Sequence, residues 1–249
     1  MSAIRTQALE KRFGEKTAVY PLDLEIPHGE MFGLLGVNGA GKTTALRMLC
    51  GLLTPTSGEA WVNGHSILTE TQKVKGCIGV SMQETAIAPL LTVEENLRMM
   101  AGIYAADRRK AKDDTESIIT EFGLESVRKS RAGTLSGGWQ RRLSIAMALV
   151  THPQILLLDE PTLGLDVLAR RELWRIIAAL KGKITVILTT HYLEEAEALC
   201  DRIGIMADGR MCAMGNAEEL KKQADTASFE DAFVRIAQGG MTDARGNIC

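Results

Sequence analysis

The feature that most constrains this chain is the octet Gly36–Thr43, which reads Gly-Val-Asn-Gly-Ala-Gly-Lys-Thr and fits the pattern GxxxxGK(S/T). The octet follows an apolar run that ends at Leu35 and precedes a helical pattern. Its glycines let backbone N–H groups surround a phosphate, and the start of the helix adds a favourable dipole. Lys42 can reach the β- and γ-phosphates of a nucleotide, and Thr43 can ligate Mg²⁺. The sequence therefore predicts a phosphate-binding loop between a strand and a helix.

The chain alternates apolar, strand-like runs with helical patterns. The pairs are Met31–Leu35 with Lys42–Leu52, Ile155–Leu158 with Leu168–Leu180, and Ile184–Leu188 with Tyr192–Leu199. This alternation predicts an α/β fold in which helices flank a parallel sheet. Turn residues at Thr54–Gly58 and Asn63–Gly64 predict hairpins in a small antiparallel layer, and residues 92–150 are predicted to form an inserted helical subdomain. A polar, helix-prone tail is predicted from Asn216, with a frayed end beyond Gly239.

Two acidic residues follow one of the buried strand patterns. Ile155–Leu158 is followed directly by Asp159 and Glu160. At the carboxyl edge of a parallel sheet beside a phosphate loop, Asp159 can hold the hydration shell of Mg²⁺, while Glu160 faces the γ-phosphate and polarises water. Taken alone, the pair fits a solvated strand end before the turn at Pro161 and Thr162 equally well.

A second helix start has the composition of an anion site. Ser136 lies in the N-cap position, and Gly137 and Gly138 lead into a helical pattern that continues through Leu149. Ser-Gly-Gly by itself is more often only a cap and a turn. In a chain that also carries the phosphate-binding loop, the motif predicts a nucleotide that is held from two sides.

Gln83 and His191 each follow a strand-like run, Ile78–Met82 and Ile184–Thr190 respectively. Both therefore lie at strand ends where the nucleotide is expected, and each can orient water or contact the γ-phosphate. A lone glutamine or histidine at a strand end is more often a surface residue. The residues alone leave both interpretations open.

Composition and charge exclude several classes of protein. Lysine and arginine total 29 against 31 acidic residues, and no basic stripe could follow a nucleic-acid backbone, so we expect no nucleic-acid partner. The apolar runs are shorter than the roughly 20 residues that cross a bilayer, and residues 1–10 lack a secretory apolar core. The five cysteines show no metal-ligand spacing, which predicts reduced thiols in a chain that stays in the cytoplasm.

Taken together, these motifs resemble the nucleotide-binding domain of ABC transporters from about Ile4 to Leu220. The resemblance implies a P-loop NTPase (RecA-like) α/β core with a small antiparallel β subdomain and an inserted α-helical subdomain. It places the ATP-binding cassette at residues 1–220, with the helical subdomain at about 92–150. Residues 221–249 are then a C-terminal helical tail with a flexible end.

The same resemblance implies a role for each motif, with ATP and Mg²⁺ as the cofactors. Glu160 matches the catalytic glutamate, and His191 matches the switch histidine. Gln83 matches the Q-loop, which is implied to assist catalysis and to ligate the metal together with Thr43 and Asp159. The implied nucleotide-binding residues are Phe13, Gly36, Asn38, Gly39, Ala40, Gly41, Lys42, Thr43, Thr44, Ser136, Gly137, Gly138 and Asp166.

The resemblance also implies partners. Two copies of the cassette would meet head to tail as a homodimer, so that each ATP lies between the phosphate loop of one copy and the Ser-Gly-Gly signature of the other. An integral-membrane permease would hold the dimer on the inner face of the cell membrane. The signature has Trp139 where the commonest version has glutamine, and Leu163-Gly164 replaces Ser-Ala in the D-loop, but no phosphate ligand is lost. With Glu160 and His191 both present, ATP hydrolysis is expected.

Three short sequence segments resemble those of the cassettes of bacterial ABC-2-type exporters, which move drugs, antibiotics, polysaccharides or sodium. They are Gly36–Gly41, Thr189–Ala196 and Ser228–Phe233. The alternative is an ABC ATPase without a transporter, of the kind that acts in translation, DNA repair or iron–sulfur assembly. A plain P-loop kinase or GTPase is disfavoured, because no Asn-Lys-x-Asp guanine motif is present.

Overall fold

The computed structural model describes residues 2–104 and 107–239. The strands are β1 (Ser2–Phe13), β2 (Lys16–Pro27), β3 (Met31–Leu35), β4 (Ser57–Val62), β5 (His65–Ser66), β6 (Ile78–Ser81), β7 (Ile155–Asp159), β8 (Thr185–Thr190), β9 (Arg202–Ala207) and β10 (Arg210–Gly215). The helices are α1 (Lys42–Leu49), α2 (Thr71–Cys77), α3 (Val93–Tyr104), α4 (Arg108–Glu121), α5 (Gly137–Leu149), α6 (Val167–Ala178), α7 (Leu193–Leu199), α8 (Ala217–Gln223) and α9 (Phe229–Ala237). The predicted flexible end of the tail lies outside the described residues.

The larger sheet has six strands in the order β10-β9-β3-β8-β7-β6, and all of them are parallel except β10, which pairs antiparallel with β9 at the edge. The predicted parallel α/β sheet is therefore confirmed. Every residue of β3 and of β7 is buried, as expected for strands covered on both faces. Leu35 lies opposite Thr190, and Asp159 lies opposite Thr189. This register brings the phosphate loop, the acidic pair and His191 to one edge of the sheet.

The smaller sheet is antiparallel, in the order β2-β1-β4-β5, and confirms the predicted β layer. Asn63 and Gly64 form the predicted hairpin turn with φ values of 51° and 79°, and positive φ at both positions is what a type I′ turn requires. The prediction of a hairpin at Thr54–Gly58 was wrong. That segment connects α1 to β4, whose antiparallel partner is the distant strand β1.

The helical stretch predicted at residues 92–150 is formed by α3, α4 and α5, which pack on one another through buried apolar side chains. The tail helices α8 and α9 bury Leu220, Phe229 and Ile236 in the same cluster as Ile203 and Ile205 of β9. The predicted boundary between residues 220 and 221 therefore falls inside a helix that packs on the sheet. Within the described part of the chain, no helix is both long and apolar enough to cross a bilayer.

A buried carboxylate joins the elements of the helical subdomain. Glu94, in the first turn of α3, is 3% exposed and accepts hydrogen bonds from Arg128 at 2.7 and 2.8 Å and from Lys129 at 2.6 Å. It also pairs with Arg98 on the next turn, and Arg128 pairs in turn with Glu116 of α4. The hydrogen bonds from Arg128 and Lys129 lower the pKa of Glu94 to about 2.

We expect Glu94→Gln to lower the free energy of unfolding by about 2 kcal/mol at pH 7, because the variant loses charge-assisted hydrogen bonds. The pKa of Glu94 is depressed in the folded protein, so this contribution is present above its ordinary value of 4.5 and is lost as the pH falls toward about 2. Urea unfolding at several pH values should show the difference from wild type shrinking below pH 4.5. The exposed Glu121→Gln is the control, and a difference that stays constant with pH would contradict the assignment.

Candidate nucleotide-binding and catalytic site

The phosphate loop connects β3 to α1, and Lys42 is the first residue of that helix. The Lys42 side chain is 4% exposed, and its ammonium donates hydrogen bonds to the carbonyl oxygens of Gly36 at 2.7 Å and Val37 at 3.1 Å. An ammonium group has three N–H donors, so one remains for a further acceptor. Burial lowers the pKa of Lys42, and the negative charges of Glu160 and Asp159 oppose this shift. The loop thus presents a positive charge at a helix N-terminus, which favours an anion.

Two glycines of the loop are required by close backbone approach. A Cβ atom on Gly36 would lie 2.3 Å from the carbonyl oxygen of Met206 in β9, a distance that no packing tolerates. Gly41 has φ of +98°, and a Cβ atom there would lie 2.5 Å from the carbonyl oxygen of Ala18. The loop is therefore held tightly between the two sheets, and its curvature depends on residues without side chains.

Asp159 and Thr43 meet at the base of the loop. The Thr43 hydroxyl donates to Asp159 Oδ1 at 2.9 Å, and the Thr189 hydroxyl donates to the same oxygen at 2.6 Å. Asp159 is completely buried, and its second oxygen, Oδ2, has no hydrogen-bond partner among the described residues. A buried carboxylate oxygen without a partner is costly unless a cation or water completes the site.

Glu160 lies at the centre of the polar residues at this sheet edge. Its Oε1 is 3.7 Å from Lys42 Nζ and 3.3 Å from His191 Nδ1. Its backbone has φ of +47°, in the left-handed region, and its amide donates to the carbonyl oxygen of Thr189 at 3.1 Å and to the Thr189 hydroxyl at 3.0 Å. One carboxylate oxygen is thus flanked by a lysine and a histidine at the mouth of the phosphate loop.

A cavity of about 590 Å³ opens above the loop, which is within the usual size of a small-molecule site. Ten of the sequence-predicted residues line it: Phe13, Asn38, Gly39, Ala40, Gly41, Lys42, Thr43, Thr44, Gln83 and Glu160. The Phe13 side chain forms part of the wall and is 52% exposed. Lys11 lies over one face of the Phe13 ring, with Nζ 5.2 Å from the ring centroid.

Other predicted residues do not line this cavity. Ser136 is the N-cap of α5, but its side chain makes no capping hydrogen bond, and Gly137 and Gly138 begin that helix. Asp166 is the N-cap of α6, and its side chain accepts from the amides of Leu168 and Ala169 at 2.9 Å. The cavity of a single chain therefore holds the phosphate loop but not the second helix start.

Sequence reasoning missed several residues of the site. Tyr20, Asp208 and Gly209 also line the cavity, and the amide of Tyr20 donates to the carbonyl oxygen of Gly209 at 2.8 Å. Arg141 donates to the backbone carbonyls of Asp159 and Glu160. No local pattern marks these residues, although Arg141 lies in the helical pattern that follows the Ser-Gly-Gly motif.

A known protein family matches the part of the chain that forms this site. The model of the family described as ABC transporter matches residues 19–163, which is more than half of the chain. The chain belongs to the ABC transporter family. The matched range contains the phosphate loop, Gln83, the Ser-Gly-Gly motif and the acidic pair of the cassette, so the predicted family is confirmed.

Curated relatives of the cassette are ATP-binding proteins of transport and resistance systems. It is 39% identical to the probable multidrug ABC transporter ATP-binding protein YbhF of Escherichia coli (strain K12), over 94% of this chain and 42% of that protein. It is 37% identical to the linearmycin resistance ATP-binding protein LnrL of Bacillus subtilis (strain 168), over 97% of this chain and 76% of that protein. The chain thus spans less than half the length of the E. coli relative.

Solved structures share the fold of the cassette. An ATP-binding subunit of an ABC transporter superimposes with a TM-score of 0.84 at 27% identity, over 94% of this chain and 99% of the other. A dimeric ATP-binding cassette in a post-hydrolysis state, bound to ADP and Pi, superimposes with a TM-score of 0.77 at 27% identity, over 86% and 98% of the two chains. These similarities confirm the predicted P-loop NTPase fold.

Proposed function

We propose that this cassette binds ATP in the cavity beside Phe13 and hydrolyses it at Glu160. The adenine stacks on the exposed ring of Phe13, and the phosphates lie against the amides of the loop and the ammonium of Lys42. The observation that carries the proposal is the single carboxylate oxygen of Glu160, which lies 3.7 Å from Lys42 Nζ and 3.3 Å from His191 Nδ1 beside that loop.

The chemistry follows from what these side chains can do. Glu160 accepts the proton of the attacking water, and His191 orients the reacting groups beside it. Lys42 stabilises negative charge that develops on the transferred phosphoryl group, because a buried cation acts strongly where water is excluded. Gln83 lines the same cavity, and in this proposal it faces the γ-phosphate.

The residues present also fit Mg²⁺. Thr43, Gln83 and Asp159 offer a hydroxyl, an amide oxygen and a carboxylate, which are the oxygen ligands that this ion prefers. The buried Oδ2 of Asp159, without a partner among residues 2–104 and 107–239, is available to the ion or to its waters. When bound, Mg²⁺ supplies positive charge that offsets the charge of the phosphates.

The site is completed by a second copy of the cassette. Ser136, Gly137 and Gly138 begin helix α5 outside the cavity of their own chain, so in this proposal they face the nucleotide of the other copy in a homodimer. Val167 and Leu168, next to Asp166, are 61% and 76% exposed and supply apolar surface for the same contact. The structural relative that is dimeric and bound to ADP and Pi supports this arrangement.

A second groove is proposed to receive a helix of a membrane permease. It has a volume of about 360 Å³ and is lined by Leu52, Met100, Tyr104 and Ala86 among others. Leu52 and Tyr104 are 57% and 53% exposed, which suits an apolar partner. Ala86 follows Gln83 of the nucleotide cavity by three positions. A structural change at Gln83 when the γ-phosphate is removed can therefore be transmitted along three residues of backbone to the docked helix.

The names of the relatives favour a bacterial exporter of the ABC-2 type, which would place the cassette at the cytoplasmic face of the membrane through its permease. The two relatives named above are ATP-binding proteins, one of a probable multidrug ABC transporter and one of linearmycin resistance. They support this assignment over an ABC ATPase in translation, DNA repair or iron–sulfur assembly. In this proposal the permease selects the substrate, because the two cavities assigned to the cassette hold the nucleotide and the permease helix.

Co-purification of the tagged cassette from detergent-solubilised membranes tests the proposed function. We expect a stoichiometric multi-helix membrane protein, and ATPase activity in the complex. Soluble partners alone would favour the non-transport alternative. A complex without ATP turnover would contradict the proposed catalytic site.

We expect Leu52→Glu to reduce recovery of the permease about tenfold, because a charge would be buried in the apolar groove. Val234→Glu is the matched control, since Val234 is a partly exposed apolar residue on α9, away from the groove. ATP binding by both variants should equal that of the wild type. Equal recovery of the permease with Leu52→Glu and wild type would contradict the proposed docking surface.

A further inference from the structure

Arg141, on the second turn of α5, is a buried arginine whose side chain reaches the back of the proposed catalytic site. The residue is only 5% exposed. Its guanidinium donates to five backbone carbonyls at distances between 2.5 and 3.2 Å: those of Met82, Gln83, Asp159, Glu160 and Pro161. Arg141 thus joins three segments, which are the helix that begins with the Ser-Gly-Gly motif, the end of β6 and the end of β7.

The arrangement fixes all three segments at once. Burial lowers the pKa of Arg141, and the negative charges of Asp159, Glu195 and Glu160 oppose this shift. A guanidinium stays charged in proteins, and a buried charge is tolerated only when its donors are satisfied. The planar fork of Arg141 matches carbonyls from two strand ends, a geometry that a lysine ammonium cannot reproduce.

Glu160 is the residue that depends most on this contact. Its left-handed backbone, with φ of +47°, is disfavoured for a residue that carries a side chain. Such a conformation persists only when neighbours hold it. Thr189 holds the Glu160 amide on one side, and Arg141 holds the Glu160 carbonyl at 2.7 Å on the other.

We infer that Arg141 is a positioning residue that sets the carboxylate of Glu160 and the backbone of Gln83 from the helix that carries Ser136, Gly137 and Gly138. The inference rests on the proposed function, in which that helix contacts the nucleotide of the second copy. Engagement of the helix by one nucleotide is then transmitted through Arg141 to the catalytic carboxylate that acts on the other. Arg141 itself touches neither nucleotide.

The test separates turnover from binding. We expect Arg141→Gln to lower kcat on the order of 100-fold, because displacement of a catalytic group by about 1 Å has an effect of this size. The affinity for a fluorescent ATP analogue should change less than about threefold, since the residues that line the cavity remain. Arg141→Lys should show an intermediate kcat, because it keeps the charge but not the fork. Adding Arg141→Gln to Glu160→Gln should cause no further loss of turnover, because the affected group is already removed.

Arg235→Gln is the matched control, because Arg235 also donates to backbone carbonyls, those of Ala224 and Asp225, but in the tail. Assays run well below the measured Tm of each variant. A folded Arg141→Gln protein with the kcat of Arg235→Gln would overturn the inference. If Arg141→Gln does not fold, Arg141→Lys decides, and a wild-type kcat for it would overturn the inference equally. A wild-type cassette without turnover would overturn the proposed function as well.

Discussion

Glu160→Gln is expected to stop ATP turnover while leaving ATP binding intact, with a loss of about 100- to 10,000-fold in kcat, the range for removal of a general base. Glutamine keeps the shape of the side chain but cannot accept the proton of the attacking water. The Glu160 carboxylate is 11% exposed between Lys42 and His191, so the amide should be held in the same place.

The same variant should accumulate as a dimer in saturating ATP, because the γ-phosphate that joins the two copies is no longer removed. Light scattering on a sizing column, together with a turnover assay, measures both effects. Glu218→Gln is the control, since Glu218 is a 72% exposed glutamate in the tail and should behave as wild type. A variant that stays monomeric in saturating ATP would count against the proposed dimer.

Lys42→Ala is expected to weaken nucleotide binding by on the order of 100-fold or more, because removal of a buried charge from a phosphate contact typically costs 2–5 kcal/mol. The Lys42 ammonium is held in the loop by the Gly36 and Val37 carbonyls at 2.7 and 3.1 Å. It is therefore pre-positioned, whereas Lys16, a second lysine in the lining of the cavity, is the first residue of β2 and is not part of the loop. The variant also leaves Glu160 without its nearest cation.

A titration with a fluorescent ATP analogue measures this loss, and thermal unfolding shows whether the variant remains folded. Lys73→Ala is the control, because Lys73 is a 64% exposed lysine paired with Glu70. Near-normal affinity of a folded Lys42→Ala protein would mean that the phosphate loop is misassigned.

Local patterns were sufficient for much of the fold. The octet at Gly36–Thr43 predicted both a loop and its flanking strand and helix, because glycine content and apolar periodicity depend on near neighbours. The Asn63–Gly64 hairpin followed from the positive φ that both residues accept. The hairpin predicted at Thr54–Gly58 was wrong because β4 pairs with β1. That pairing depends on packing between segments that are distant in the sequence.

The sequence by itself determined the phosphate loop, the acidic pair at the end of a buried strand and the alternation that makes a parallel sheet. Tertiary structure alone decided the left-handed backbone of Glu160, the reach of Arg141 to five carbonyls and the position of the Asp159 oxygen that has no partner among the described residues. Those features depend on contacts between residues more than 15 positions apart, such as Arg141 with Asp159 or Thr189 with Glu160. The periodicity of residues along the chain predicts helices and strands. The position of a catalytic carboxylate, in contrast, is set by the segments that pack around it.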